Sequence, residues 1–374
     1  MLVLHPRFAA STTLLVATLL ISLHDHFSGS DVSLRLLQKE REQLDPEFID
    51  EQAYVEQLGE KLAPFELSYH IDNTTNEHVL LPRQFLHLHH MKTGGTSMDG
   101  LISCAMRRLR AYQHARIPYT NIHECSLQRY RDCRDGTGDK DISCRNRMNE
   151  SAIMSYCAPL MDLERFGWRR EVNDAVSTLP DAPKPHAVTV FRHPVDRVWS
   201  MFRFQTNRCY RCMNLVDVYA AIDAGNATAV SEDEVCIMQL LNHQTRNLVI
   251  HWDPDKPNDM IEDAAYNMKN FFTLVGLTEN MNATAAMVGT VFPWMNETVS
   301  WSSDTCPMPH ANSSPQNNRC GPDGTHWDLP PHPDEATRKV IEAHNQLDRI
   351  LYEQGVQQFE YQKLALGIGR TDAA

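Results

Sequence analysis

Hydrophobic and polar positions repeat at two different periods along this chain. Between Gln84 and His89 the apolar residues Phe85, Leu86 and Leu88 sit among polar ones, which predicts a short strand. Two glycines follow at Gly94 and Gly95, and then Met98, Leu101, Ile102, Ala105 and Leu109 recur at helical spacing. The same order appears again further on. Ala187 to Phe191 is a short apolar run that reads as a buried strand. Pro194 suits the first turn of a helix, and Val195, Val198 and Phe202 fall on one side of it. Near the C-terminus, Arg338 to Phe359 keeps helical spacing through Val340, Ile341, His344, Leu347, Leu351 and Val356, which predicts one helix packed on the sheet. Strands alternating with helices predict an α/β domain, a three-layer sandwich with a central, mainly parallel sheet.

The N-terminal stretches read differently. Phe8 to Leu23 is uncharged and mostly apolar, with Arg7 before it. As a helix it would span about 24 Å, against about 30 Å for a typical hydrocarbon core. Such a span suits the thinner membranes of the early secretory route. It reads as an uncleaved signal anchor, or as a signal peptide cut near Phe27 to Ser30. Asp31 to Phe65 is acidic and carries Leu34, Leu37, Leu44, Val55, Leu58 and Leu62, the pattern of one or two amphipathic helices broken near Pro46.

Chemistry concentrates at the two strand–helix junctions. In the run His89-His90-Met91-Lys92-Thr93-Gly94-Gly95-Thr96-Ser97, the glycines allow backbone angles that side chains forbid. Thr96 or Ser97 can cap the helix. Backbone N–H groups and the positive end of a helix dipole then face one spot, and Lys92 adds a full charge. That is an anion cradle, suited to phosphate or sulfate. It is not a Walker A loop, in which the lysine follows the glycines. At the second junction Arg192 ends the strand and Ser200 lies on the helix, at the carboxyl end of a strand, where open α/β sheets bind ligands. Two separated anion clamps predict a ligand with two separated phosphate groups.

Net charge at first argues against an anionic ligand, since the chain carries −13. Its distribution removes the objection. Residues 81–211 hold 21 Lys and Arg against 13 Asp and Glu, whereas the rest holds 14 against 35. The basic half contains both clamps, so the local field favours anions. Nothing in the sequence points to nucleic acid as a partner.

These two motifs together resemble the Golgi sulfotransferases that use 3′-phosphoadenylyl sulfate, and among them the heparan sulfate 6-O-sulfotransferase family. His89, Lys92, Thr93, Gly94, Gly95, Thr96 and Ser97 match its 5′-phosphosulfate loop. Arg192, Pro194, Val195, Arg197 and Ser200 match its 3′-phosphate motif. Softer matches follow at Gln244-Thr245-Arg246, at Asn267 to Glu279, and at Asn345, Asp348, Leu351 and Tyr352, so that the likeness runs from about residue 84 to about 362. The resemblance implies a P-loop-like 5′-phosphosulfate loop and transfer of a sulfuryl group to a glycan hydroxyl, on a heparan-like or other polysaccharide. It also implies 3′-phosphoadenylyl sulfate as co-substrate and no metal. His89, Lys92, Thr93, Gly94, Gly95, Thr96, Ser97, Arg192 and Ser200 would bind that co-substrate, with Lys92 stabilising the leaving phosphate. The organisation implied is a cytosolic tail at 1–7, a signal anchor at 8–23, a stem at 24–80, the sulfotransferase domain at 81–365 and a disordered tail at 366–374. The resemblance thus implies a single-pass type II Golgi membrane protein with a lumenal catalytic domain. The stem helices offer a surface for pairing into a homodimer.

Cysteines and sequons fit an oxidising lumen. There are ten cysteines, an even number. Asn-x-Ser/Thr stands at Asn73, Asn149, Asn226, Asn282, Asn296 and Asn312. Cys125, Cys133, Cys144 and Cys157 can staple one loop-rich stretch. Cys209-x-x-Cys212 lacks the second pair that a zinc site needs, which favours structural disulfides. Asp304 to Pro333, with Cys306 and Cys320, reads as a long loop closed by a disulfide. Arg107, Arg108, Arg110, Arg129, Arg131, Arg134, Arg145 and Arg147 could meet a sulfated or carboxylated glycan.

The acceptor's proton needs a base, and here the chain departs from the resemblance. The 6-O family carries Cys-x-x-His-x-Asp at its catalytic base, and the matching stretch, Cys157 to Asp162, has Leu160 in place of the histidine. Asp162 and His123 are the candidates named for this role, with Glu124 and His186 behind them. A carboxylate would need burial to raise its pKa.

Overall fold

The computed structural model describes residues 51–72, 74, 77–80, 84–113, 119–122, 153–156, 186–231, 233–249, 251–296, 320–321 and 329–368. The anchor, residues 24–50 of the stem, His123, Glu124, the stretch from Cys157 to Asp162 and Cys306 lie outside them. So do the sequons at Asn73, Asn149 and Asn312.

In chain order the elements are α1 (Glu51–Lys61), β1 (Tyr69–Asp72), β2 (Glu77–Leu80), β3 (Phe85–Leu88), α2 (Gly95–Gln113), β4 (Tyr119–Ile122), β5 (Ile153–Tyr156) and β6 (His186–Phe191). There follow α3 (Pro194–Cys209), α4 (Leu215–Asp223), α5 (Ala227–Val230), α6 (Glu234–Met238), α7 (His243–Leu248), α8 (Pro257–Asn270) and β7 (Phe272–Leu277). After a 3-10 turn at Thr278–Asn280 come α9 (Met281–Val291), α10 (Pro293–Asn296), α11 (Glu335–His344) and α12 (Gln346–Ala365). The fold is mixed α/β.

Five strands form an open sheet in the order β4-β5-β3-β6-β7, and every pairing in it is parallel. β1 and β2 make a separate antiparallel hairpin. Parallel sheets are covered on both faces, so their strands are apolar without alternation. β3 and β7 are buried at every position, and β6 at all but its first. From β3 the chain moves to β4 and β5 on one side, and from β6 it moves to β7 on the other. The switch point of the sheet is therefore the crevice beyond the carboxyl ends of β3 and β6, where Leu88 pairs with Thr189.

Two apolar clusters form the core. One surrounds the sheet and includes Phe85, Leu86, Ile102, Val188, Phe191, Leu274, Val288 and Leu351. Leu58, Leu62 and Leu67 belong to it, and Tyr54 of α1 donates to Gln358 of α12 at 2.5 Å. These contacts set residues 51–67 of the stem stretch on the α/β body itself. The second cluster joins α3, α4, α5, α6 and α11 through Val198, Phe202, Val218, Val230, Ile237 and Ile341.

Three expectations change. Arg338 to Phe359 is not one helix, because the chain breaks at Asn345 between α11 and α12. The Asn345 amide donates to the carbonyls of Leu240 and Ile341 and its oxygen accepts from the Asn242 N–H, a tertiary lock that apolar periodicity does not register. Cys320 bonds Cys212, not Cys306, and Cys209 bonds Cys236. α2 begins at Gly95, so Thr96 and Ser97 lie inside its first turn and do not cap it. α12 does pack on the sheet: Gln362 accepts from the Val275 N–H and donates to the Thr273 carbonyl, occupying backbone groups of the edge strand β7.

Candidate functional site

The turn between β3 and α2 is built from two left-handed residues. Lys92 has φ 66° and Gly94 φ 75°. Lysine gains nothing from that conformation, which costs roughly 1–2 kcal/mol; glycine adopts it freely. A Cβ on Gly94 would stand 2.7 Å from the Met281 methyl. The turn is stitched down from below. Thr93 Oγ1 donates to the His90 carbonyl at 2.9 Å, and Thr278 Oγ1 shares its proton between the carbonyls of Thr93 and Phe191. Ser97 and Met98 both give their N–H to the Gly94 carbonyl. As at any helix N-terminus, the first N–H groups of α2 have no partner within the helix and can serve an anion.

Lys92 and Arg192 meet across the crevice. Arg192 follows β6 directly, and its Nη1 donates to the Lys92 carbonyl at 3.2 Å. The Lys92 ammonium lies 4.3 Å above the Phe204 ring. Burial pushes the Lys92 amine down to about 8, and the charges of Arg192 and Arg203 push the same way. Three cations thus crowd one partly buried place. Arg203, on α3 one turn beyond Ser200, has its Nε buried with no hydrogen-bond partner among the described residues. Asp196 and Glu279 lie close enough to Arg192 to offset part of its burial.

Arg192 is held by its backbone. Gln244 accepts from the Arg192 N–H at 3.0 Å and donates to the Arg192 carbonyl at 2.9 Å. Gln244 lies in the first turn of α7, and the N-terminus of that helix is capped by Asp348 of α12. The carboxylate accepts from the N–H groups of Gln244 and Thr245 and from the Thr245 hydroxyl. Asp348 also faces the buried Arg197 guanidinium at 3.9 Å, and Arg197 donates to the Gln239 carbonyl. Arg197 is thus a structural cation. Glu279 accepts from the His193 N–H and hydrogen-bonds the Tyr352 hydroxyl, whose pKa rises through burial and that carboxylate.

Of the residues singled out from the sequence, Lys92, Thr93 and Gly94 lie in the β3–α2 turn, Gly95, Thr96 and Ser97 in the first turn of α2, Arg192 directly after β6 and Ser200 on α3. His89 leads into the β3–α2 turn but binds inward, its Nδ1 2.9 Å from Asp99 Oδ2. His186 is ruled out as a base for this site. It begins β6, stacks on Phe65 and lies near Phe292, at the end of the sheet opposite Arg192. Asp162 and His123 lie outside the described residues. Arg203, Phe204, Thr278 and Glu279 are additions. Arg203 had a signal, since it stands three residues after Ser200 on one helix face. The others come from elements far away in sequence.

Comparison with protein-family models yields no match, and comparison with curated proteins yields none either.

Proposed function

We propose that this chain is a lumenal sulfotransferase that moves a sulfuryl group from 3′-phosphoadenylyl sulfate to a glycan hydroxyl, anchored in the Golgi membrane by its N-terminal segment. Its α/β body would be the three-layer sulfotransferase sandwich, with the β3–α2 turn as the 5′-phosphosulfate loop. The observation that carries this reading is the convergence of Lys92, Arg192 and Arg203 on the switch-point crevice, with Lys92 depressed to about 8 by burial and by its two cationic neighbours. Such repulsion is tolerable where a polyanion neutralises it.

The residues fit the donor's two phosphates. Amides of Gly94, Gly95 and Thr96 face the 5′ end, and Arg192 with Ser200 serves the 3′ phosphate. When bound, the donor supplies an activated sulfate ester. Lys92 holds positive charge where negative charge grows on the phosphate oxygen that departs, a contribution whose removal typically lowers turnover ~10²–10³-fold. Gln244 and Asp348 keep Arg192 in place, so that positioning and electrostatics do most of the work, as in phosphoryl transfer. This scheme routes no step through a metal.

The test is calorimetric binding of 3′-phosphoadenosine 5′-phosphate to the full chain. Wild type binds it, and Lys92→Ala and Arg192→Ala each weaken binding by at least about tenfold, one charge-assisted contact being worth ~1.5–3 kcal/mol. Wild-type affinity in both variants overturns the reading. Labelled-sulfate transfer to a panel of polysaccharides then identifies the acceptor.

A further inference from the structure

An Asn-x-Ser/Thr motif accepts sugar only where the asparagine amide and the hydroxyl two residues on can both be reached. Three such motifs start among the described residues, at Asn226, Asn282 and Asn296. The hydroxyl residue of the third, Thr298, lies outside them. The other two are built in opposite ways.

Asn226-Ala227-Thr228 forms the corner between α4 and α5. α4 ends in a Schellman turn: Gly225, at φ 70°, gives its N–H to the Ile222 carbonyl at 2.9 Å, and the Asn226 N–H reaches back to the Ala221 carbonyl at 2.8 Å. Asn226 then stands at the N-cap of α5, a place where asparagine usually spends its side chain on the first N–H groups of the helix. Here it makes no such capping bond and is exposed. Ala227 is buried and belongs with Val230 to the helical cluster. The buried alanine pins the corner, and the residues on either side of it, Asn226 and Thr228, are both exposed.

Asn282-Ala283-Thr284 lies in the first turn of α9. Asn282 is exposed, but Thr284 is fully buried. The Thr284 hydroxyl donates to the Leu277 carbonyl at 3.1 Å and accepts from the Leu277 N–H at 2.9 Å. Folding therefore consumes this hydroxyl as soon as α9 settles on the end of β7.

We propose that Asn226 is a site of N-linked glycosylation and that Asn282 is not. This rests on the lumenal placement proposed above. The Asn226 amide nitrogen bonds to the anomeric carbon of an oligosaccharide carried on a lipid diphosphate. The bond from that carbon to the phosphate oxygen breaks, its electron pair leaves with the lipid diphosphate, and the amide proton passes to a base of the lumenal transferase. Thr228 offers the hydroxyl that such a transferase reads, and Thr284 withholds it. The attached sugar is bulky and must stay outside the folded body. The α4–α5 corner allows that, and it contributes no residue to the crevice.

Peptide mapping of the full chain expressed in a eukaryotic cell tests this. A peptide N-glycosidase acting in heavy-oxygen water turns each sugar-bearing asparagine into an aspartate with one heavy oxygen, which mass spectrometry reads. Asn226 should carry the mark and Asn282 should not. Asn226→Gln and Thr228→Ala should each raise electrophoretic mobility by one glycan step, the second with Asn226 still in place. A bare Asn226 beside other marked sequons overturns the proposal and leaves the lumenal placement standing. So does an Asn282 marked as fully as Asn226. If no sequon carries a mark, the lumenal placement fails, and the Asn226 site falls with it.

Discussion

Lys92 combines three costs at one residue: a left-handed backbone, partial burial and two cationic neighbours. The sign of its pH dependence follows. An anion binds the charged amine, which is present below about 8 and lost above it. Affinity for 3′-phosphoadenosine 5′-phosphate should therefore hold at neutral pH and fall as pH rises through about 8, by up to about tenfold per unit. Calorimetry across that range reads it. Lys92→Arg keeps its charge and should show a flat profile over the same range. A wild-type profile equally flat would remove Lys92 from the anion site. At this scale the sequence displayed Lys92 and Arg192 through the motifs around them.

At the scale of elements, the β6–α3 junction is clamped by pieces that arrive late in the chain. Asp348 on α12 caps α7, and Gln244 on α7 grips the Arg192 backbone. Gln244→Ala removes both bonds and should cost about 1–3 kcal/mol of stability, read as a lower denaturant midpoint, together with weaker bisphosphate binding. Loss of stability without loss of affinity would mean that Arg192 needs no such clamp. The soft matches at Gln244 and at Asn345 to Tyr352 acquire a physical meaning here. They lie about 50 to 160 residues downstream of Arg192, yet form its support. Periodicity alone merged α11 and α12 into one helix, because the Asn345 lock is made by residues of another element.

For the whole molecule, the two clusters divide the labour. The sheet cluster positions the crevice, while Cys209–Cys236 ties α3 to α6 and Cys212–Cys320 ties the turn after α3 to the segment at Cys320. Their sequence separations are 27 and 108, so each closes a sizeable loop. Bridges of this kind contribute about 2–4 kcal/mol apiece. The double variants Cys209→Ser/Cys236→Ser and Cys212→Ser/Cys320→Ser should each lower the thermal midpoint by several degrees, followed by circular dichroism. Bisphosphate binding measured well below that midpoint should survive, because neither bridge touches β3 or β6. Binding lost in either double variant at low temperature would show the helical cluster to be part of the site.

The alternation of short apolar strands with amphipathic helices, the Gly turn behind Lys92 and the proline-led helix behind Arg192 were all set by local sequence. Backbone permission and burial periodicity act over a few residues and can be read there. Strand order, disulfide partners and the break at Asn345 belong to the tertiary structure. Each joins groups that are far apart in sequence, and only the packed structure brings them within hydrogen-bond or covalent reach.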